Sequence, residues 1–170
     1  MKSIKFFAVA ILFSGVSVIS SAQVTATATA SSTIVTPIGI TKTVDMNFGN
    51  VAINSTTAGT VVLAPAGTRT STGGVTLPAT AGTVAAAEFN VTGANNYTFS
   101  ITLPSTSHEI KSDLNTMSVT GFTSTPTPTG TLSATGSATV KVGATLNVSA
   151  GQAAGTYTSV TPFEVTVNYN

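Results

Sequence analysis

The sequence predicts an all-β sandwich formed by a single domain, and three observations carry that expectation. Apolar and polar residues alternate with a period of two along most of the chain, which gives each extended segment one dry and one wet face. No stretch of useful length shows the 3.6-residue apolar period of a helix. Breaks rich in Gly, Pro and Asn recur at the spacing of short sandwich strands. Many short strands without helices leave a sandwich as the matching layer architecture.

Residues 1–22 read as a secretory signal peptide. Lys2 and Lys5 supply a positive start, Phe6 to Ile19 an apolar stretch, and Ser20-Ser21-Ala22 the small residues of a cleavage site before Gln23. Gly15 and the serines interrupt the apolar stretch, which falls short of the roughly 20 residues of a spanning helix. The expected product is residues 23–170, exported, with no transmembrane segment after cleavage.

Val24-Thr-Ala-Thr-Ala-Thr-Ala30 opens that product with strict alternation, so it reads as a strand. Its apolar face holds Val24, Ala26, Ala28 and Ala30, and the same even phase continues through Ile34, Ile38, Ile40, Val44, Met46 and Phe48. Pro37 and Gly39 place a bend or bulge within that run. Residues 23–36 are therefore an N-terminal extension or an edge strand. Val61 and Leu63 form a strand before the turn Ala64-Pro-Ala-Gly67, and Val75 and Leu77 form one after Gly73-Gly74.

Ala85, Ala87, Phe89 and Val91 alternate up to Gly93-Ala-Asn-Asn96, and Tyr97, Phe99, Ile101 and Leu103 alternate after it. The two runs are expected to pair as a hairpin. Met117, Val119 and Phe122 follow. Residues 123–130 read as a loop, because Pro126 and Pro128 cannot donate to a central ladder. Val140 and Val142, Leu146 and Val148, and finally Phe163, Val165, Val167 and Tyr169 complete the strands.

Composition narrows the function. Charged residues are 6% of the chain, against roughly 25% in ordinary soluble domains. Loss of Lys2 and Lys5 leaves four basic against five acidic residues, which gives no footprint for nucleic acid or an anionic membrane. Cysteine is absent, so disulfides and thiol chemistry are excluded. One histidine and no cysteine make no zinc site, and no D-x-D-x-D loop suggests calcium. Neither a cofactor nor a metal is expected.

Catalysis finds little to converge. His108 could serve as a base for Ser105 or Ser107, but neighbours on a strand point to opposite faces and no G-x-S-x-G elbow is present. A solvent-facing histidine is the plainer reading. Asp45, Glu88, Glu109, Asp113 and Glu164 are scattered and read as edge charges or turn residues rather than a glycosidase pair. The chain is expected not to be an enzyme.

Two stretches carry a resemblance. They are Ile34-Val-Thr-Pro-Ile-Gly-Ile-Thr-Lys-Thr-Val-Asp-Met-Asn-Phe-Gly-Asn50 and Gly143-Ala-Thr-Leu-Asn-Val-Ser-Ala-Gly-Gln-Ala-Ala-Gly-Thr-Tyr157, the latter continued by Phe163-Glu-Val-Thr-Val-Asn-Tyr-Asn170. Together they resemble the domain of unknown function 4402 family, small secreted proteins of Gram-negative bacteria. The closing pattern is also similar to spore coat protein U-like and fimbrial subunit domains. The resemblance implies an immunoglobulin-like, pilin-like sandwich at the periplasm or cell surface, and it brings no catalytic residues. Tyr169 stands where such pilins carry a penultimate aromatic; the disulfide common among them is missing here.

The expected function is a secreted, non-enzymatic structural or adhesive surface protein of the fimbrial-subunit kind. The alternative is a monomeric secreted binding module, with carbohydrate as its ligand class. The expected partners are copies of the same chain or a periplasmic chaperone. The expected contact strands hold Val24, Ala26, Ala28 and Ala30 at one end and Phe163, Val165, Val167 and Tyr169 at the other.

Overall fold

Period-two patterning becomes strands throughout the computed structural model, which describes residues 22–170. No helix occurs among the described residues. In chain order the strands are β1 (Gly39–Val44), β2 (Asn47–Phe48), β3 (Ala52–Ile53), β4 (Gly59–Leu63) and β5 (Arg69–Gly73). There follow β6 (Val75–Thr76), β7 (Val84–Ala85), β8 (Ala87–Thr92), β9 (Thr98–Thr102) and β10 (His108–Ser112). The last five are β11 (Asn115–Thr125), β12 (Thr129–Thr131), β13 (Ser137–Val148), β14 (Thr158–Ser159) and β15 (Thr166–Tyr169). Residues 34–170 make one compact body.

The larger layer runs β1-β8-β13-β11-β10-β14, with β4 also on β13 and β5 on β4. The second layer is β12-β9-β15, and two short ladders, β2-β7 and β3-β6, cover the other end. All pairings are antiparallel. The centre of the larger layer is β13, whose first half pairs with β8 and whose second half pairs with β4 along the same edge. Gly143 marks that switch: a Cβ there would collide with the Leu63 carbonyl and with Pro65.

Every second residue of β13 from Val140 to Val148 is buried, as its alternation requires. Val140 and Val142 pack with Phe89 and Val91 of β8 against Phe99, Leu132 and Val167 of the second layer. Ala144, Leu146 and Val148 pack with Val61, Val75 and Val119. Met46 and Phe122 touch both clusters and join them into one core. Each large aliphatic side chain removed from water there contributes roughly 1.5–3 kcal/mol.

Three expectations need correction. Residues 22–33 form no strand and are exposed throughout, so Val24–Ala30 is not an edge strand of the chain's own sheets. The runs around Phe89 and Phe99 are consecutive but not a hairpin: β8 pairs with β1 and β13, and β9 with β12 and β15. The turn between them instead bonds to residues 132–137, through Gly93 N–H to the Gly136 carbonyl and Asn96 N–H to the Ser133 carbonyl. This crossing lets Phe89 and Phe99 face one core from opposite layers. Finally, most of residues 123–130 is strand, because β11 runs to Thr125 and β12 starts at Thr129. Only the prolines and Thr127 form the connection.

Candidate functional site

The sandwich has an open seam. β1 is an edge of the larger layer and β15 an edge of the smaller one. The two approach within 8 Å between Cα atoms but share no ladder. On β15 the even residues face β9: Thr166, Asn168 and Asn170 lie against Thr102, Ser100 and Thr98, with Asn170 N–H donating to the Thr98 carbonyl at 3.3 Å. The antiparallel alternation then turns the backbone N–H and C=O groups of Val167 and Tyr169 to the free edge. A row of unpaired backbone groups like this is a template for another strand.

Beneath the edge lies apolar surface that the chain covers only in part. Val167 is buried, whereas Ile38 and Ile40 on the β1 side and Phe163, Val165 and Tyr169 on the β15 side are half-buried against the core. At one end Phe163 packs against Phe122, His108 and Phe89, with ring centroids at 5.0, 5.9 and 6.4 Å. At the other end the Tyr169 hydroxyl accepts the Ala94 N–H at 2.6 Å and donates to the Thr36 carbonyl at 2.7 Å. Its ring meets Tyr97 edge-on, centroids 5.5 Å apart. Gly93 makes room for this, since a Cβ on it would strike the Tyr169 hydroxyl.

Of the residues the sequence singled out, the structure gathers Phe163, Val165, Val167 and Tyr169 along this seam. Val24, Ala26, Ala28 and Ala30 are exposed and belong to no ladder. Val24 is 92% exposed and Ile34, in the same phase, 96%, so this apolar face has no partner among the described residues.

The reactive groups do not converge. His108 begins β10 and is half-buried, a correction to the solvent-facing reading; its Nε2 lies 3.0 Å from Ser159 Oγ, not against Ser105 or Ser107. No carboxylate orients it among the hydrogen bonds of the described residues. Three carboxylates meet lysines instead of one another: Asp45 with Lys42 at 2.6 Å, Glu109 with Lys111 at 2.7 Å and Glu88 with Lys141 at 3.3 Å. Among the described residues no group of three or more His, Cys, Asp or Glu could hold a metal.

Sequence reasoning missed Arg69. Its guanidinium donates to the carbonyls of Phe48, Asn50 (2.8 Å) and Ala81 (3.4 Å), clamping two loops. It is the chain's only arginine, and that scarcity was the one available signal.

The model of the family described as "Domain of unknown function (DUF4402)" matches residues 38–169, from just before β1 to the last residue of β15. Neither the curated proteins nor the solved structures contain a match. Since the family's pattern spans nearly the whole strand-bearing body, the chain belongs to the domain of unknown function 4402 family.

Proposed function

We propose that this protein is an exported, non-catalytic structural subunit of the bacterial surface, joined to copies of itself by strand donation. Residues 24–30 of one copy add to the free edge of β15 in the next and lie over the seam between β15 and β1. The observation that carries this reading is the unpaired β15 edge above half-buried apolar side chains, in a chain whose own alternating N-terminal segment is also unpaired. The lengths agree: seven donor residues extend about 23 Å, and Phe163 to Tyr169 is likewise seven residues.

The donor's small side chains suit a seam that Phe163 and Tyr169 already largely fill. Val24, Ala26, Ala28 and Ala30 would contribute roughly 4 kcal/mol on full burial, and several ladder bonds roughly 0.5–1.5 kcal/mol each. A periplasmic chaperone would cover the same edge before assembly, because an open edge risks aggregation. The dispersal of the carboxylates among lysines supports a non-catalytic role.

The test is deletion of residues 23–30 from the exported chain. The shortened protein should still fold cooperatively but run as a monomer with a lower melting temperature, while the full mature chain forms polymers visible by electron microscopy. A synthetic peptide of residues 23–31 should bind the shortened protein. Polymers that persist after the deletion, or a peptide that fails to bind, would refute strand donation.

A further inference from the structure

We infer that the outer face of the larger layer carries a groove for a neutral, extended oligosaccharide, centred on Asn147. Five strands bring polar residues into register there: Thr72, Thr60, Asn147, Ser118 and Glu109 follow one another across β5, β4, β13, β11 and β10. At about 4.8 Å per strand the row is about 19 Å long. Their buried neighbours Val61, Leu146, Val148 and Val119 face the core, so alternation turns this row outward. A depression of about 550 Å³ lies over the part of the row from Thr60 to Glu109, with Thr116, Ser118, Asn147 and Ser149 also in its lining and Thr72 just beyond it.

The hydrogen bonding leaves capacity for a ligand. Asn147 Nδ2 donates to the Ser118 carbonyl at 3.2 Å, Ser118 Oγ at 3.3 Å and Thr120 Oγ1 at 3.0 Å. A carbonyl can only accept, so the amide's orientation is determined. Asn147 Oδ1 is then an acceptor with no partner among the described residues. Beside it, the Thr60 and Thr72 hydroxyls are 2.7 Å apart and linked by one hydrogen bond, which leaves one proton free to donate outward.

The same lining selects the ligand class. Among the described residues no cation lines the groove for a phosphate or sulfate, and Lys111, two residues along β10 from Glu109, is paired with it at 2.7 Å. Ala58, Met117 and Val148 add apolar surface between the polar groups, and this mixture of neutral donors, acceptors and C–H surface matches the alternating hydroxyl and C–H faces of a sugar chain. No aromatic ring lines it among the described residues, so recognition rests on hydrogen bonds without a stacking platform. Repetition of the groove along an assembly would raise avidity without new contacts. The groove itself uses no residue of the β1–β15 seam, so it stands or falls apart from strand donation.

Ligand-observed saturation-transfer NMR on the mature chain tests this, with cellohexaose, laminarihexaose, maltohexaose and chitohexaose as probes and hexagalacturonate as the charged control. At least one neutral probe should receive saturation. Asn147→Leu, with its fold verified by an unchanged circular dichroism spectrum, should weaken that binding by about tenfold. Thr139→Val, on the same face outside the groove, should leave it unaltered. If Asn147→Leu does not fold, Thr60→Val replaces it with the same expected loss. Absence of transfer from all four neutral probes, transfer undiminished in the groove variant, or binding of hexagalacturonate alone would overturn the assignment.

Discussion

The Tyr169 hydroxyl donates to the Thr36 carbonyl at 2.7 Å across 133 residues of sequence and accepts the Ala94 N–H at 2.6 Å. One side chain from the last strand thus ties the segment entering β1 to the turn between the two layers. It closes one end of the seam.

Tyr169→Phe removes both bonds and leaves a part-buried N–H without its acceptor. The expected loss is about 1–3 kcal/mol in urea unfolding. A loss below about 0.5 kcal/mol would mean that water replaces the hydroxyl fully.

Gly93→Ala should cost about 1–3 kcal/mol by overpacking, since its new Cβ meets the Tyr169 hydroxyl first. Combined with Tyr169→Phe, the damage should fall short of the sum by at least about 0.5 kcal/mol, because the colliding oxygen is gone. Simple additivity in that double-mutant cycle would place the strain elsewhere, for instance on Leu132.

Arg69→Ala should destabilise by about 2–3 kcal/mol, leaving the Phe48, Asn50 and Ala81 carbonyls without their donor. Arg69→Lys should recover less than half of this, because a single ammonium cannot span acceptors that a planar guanidinium reaches together. Full recovery by lysine would show that charge alone suffices.

His108→Ala should cost about 1 kcal/mol, since the ring packs on Phe163 and bonds Ser159 Oγ. The same variant should leave any polymer intact, since His108 contributes no backbone to the β15 edge. Dissociation of polymers in this variant would mean that the His108 ring is needed to hold Phe163 in the shape the donated strand meets.

The exported protein should begin at Gln23, read by intact mass, because residues 1–22 have the three regions of a cleaved signal. That segment lies almost wholly outside the described residues. Retention of Met1 would overturn export by this route.

Local geometry explains what was legible in the sequence. Alternation follows from the pleat, a property of adjacent residues, so the inward phase of Val61, Leu63, Phe89, Val91, Val140 and Val142 could be read directly. Absence of cysteine and the thin supply of charge likewise needed no fold. Turn chemistry at Ala64–Gly67 was equally local, and Gly67 N–H bonds the Ala64 carbonyl there.

Partner choice was decided only in three dimensions. The alternating runs of β8 and β9 are what a hairpin would show, yet they lie in different layers, because pairing depends on which edges the rest of the chain leaves open. Val24–Ala30 has a strand's pattern and forms none, since alternation records a capacity to pair and not the presence of a partner. The Tyr169 hydroxyl, the Arg69 clamp and the row through Asn147 join residues 12 to 133 positions apart. A periodicity carries no signal for such contacts, because it describes one strand's faces and says nothing of what crosses to meet them.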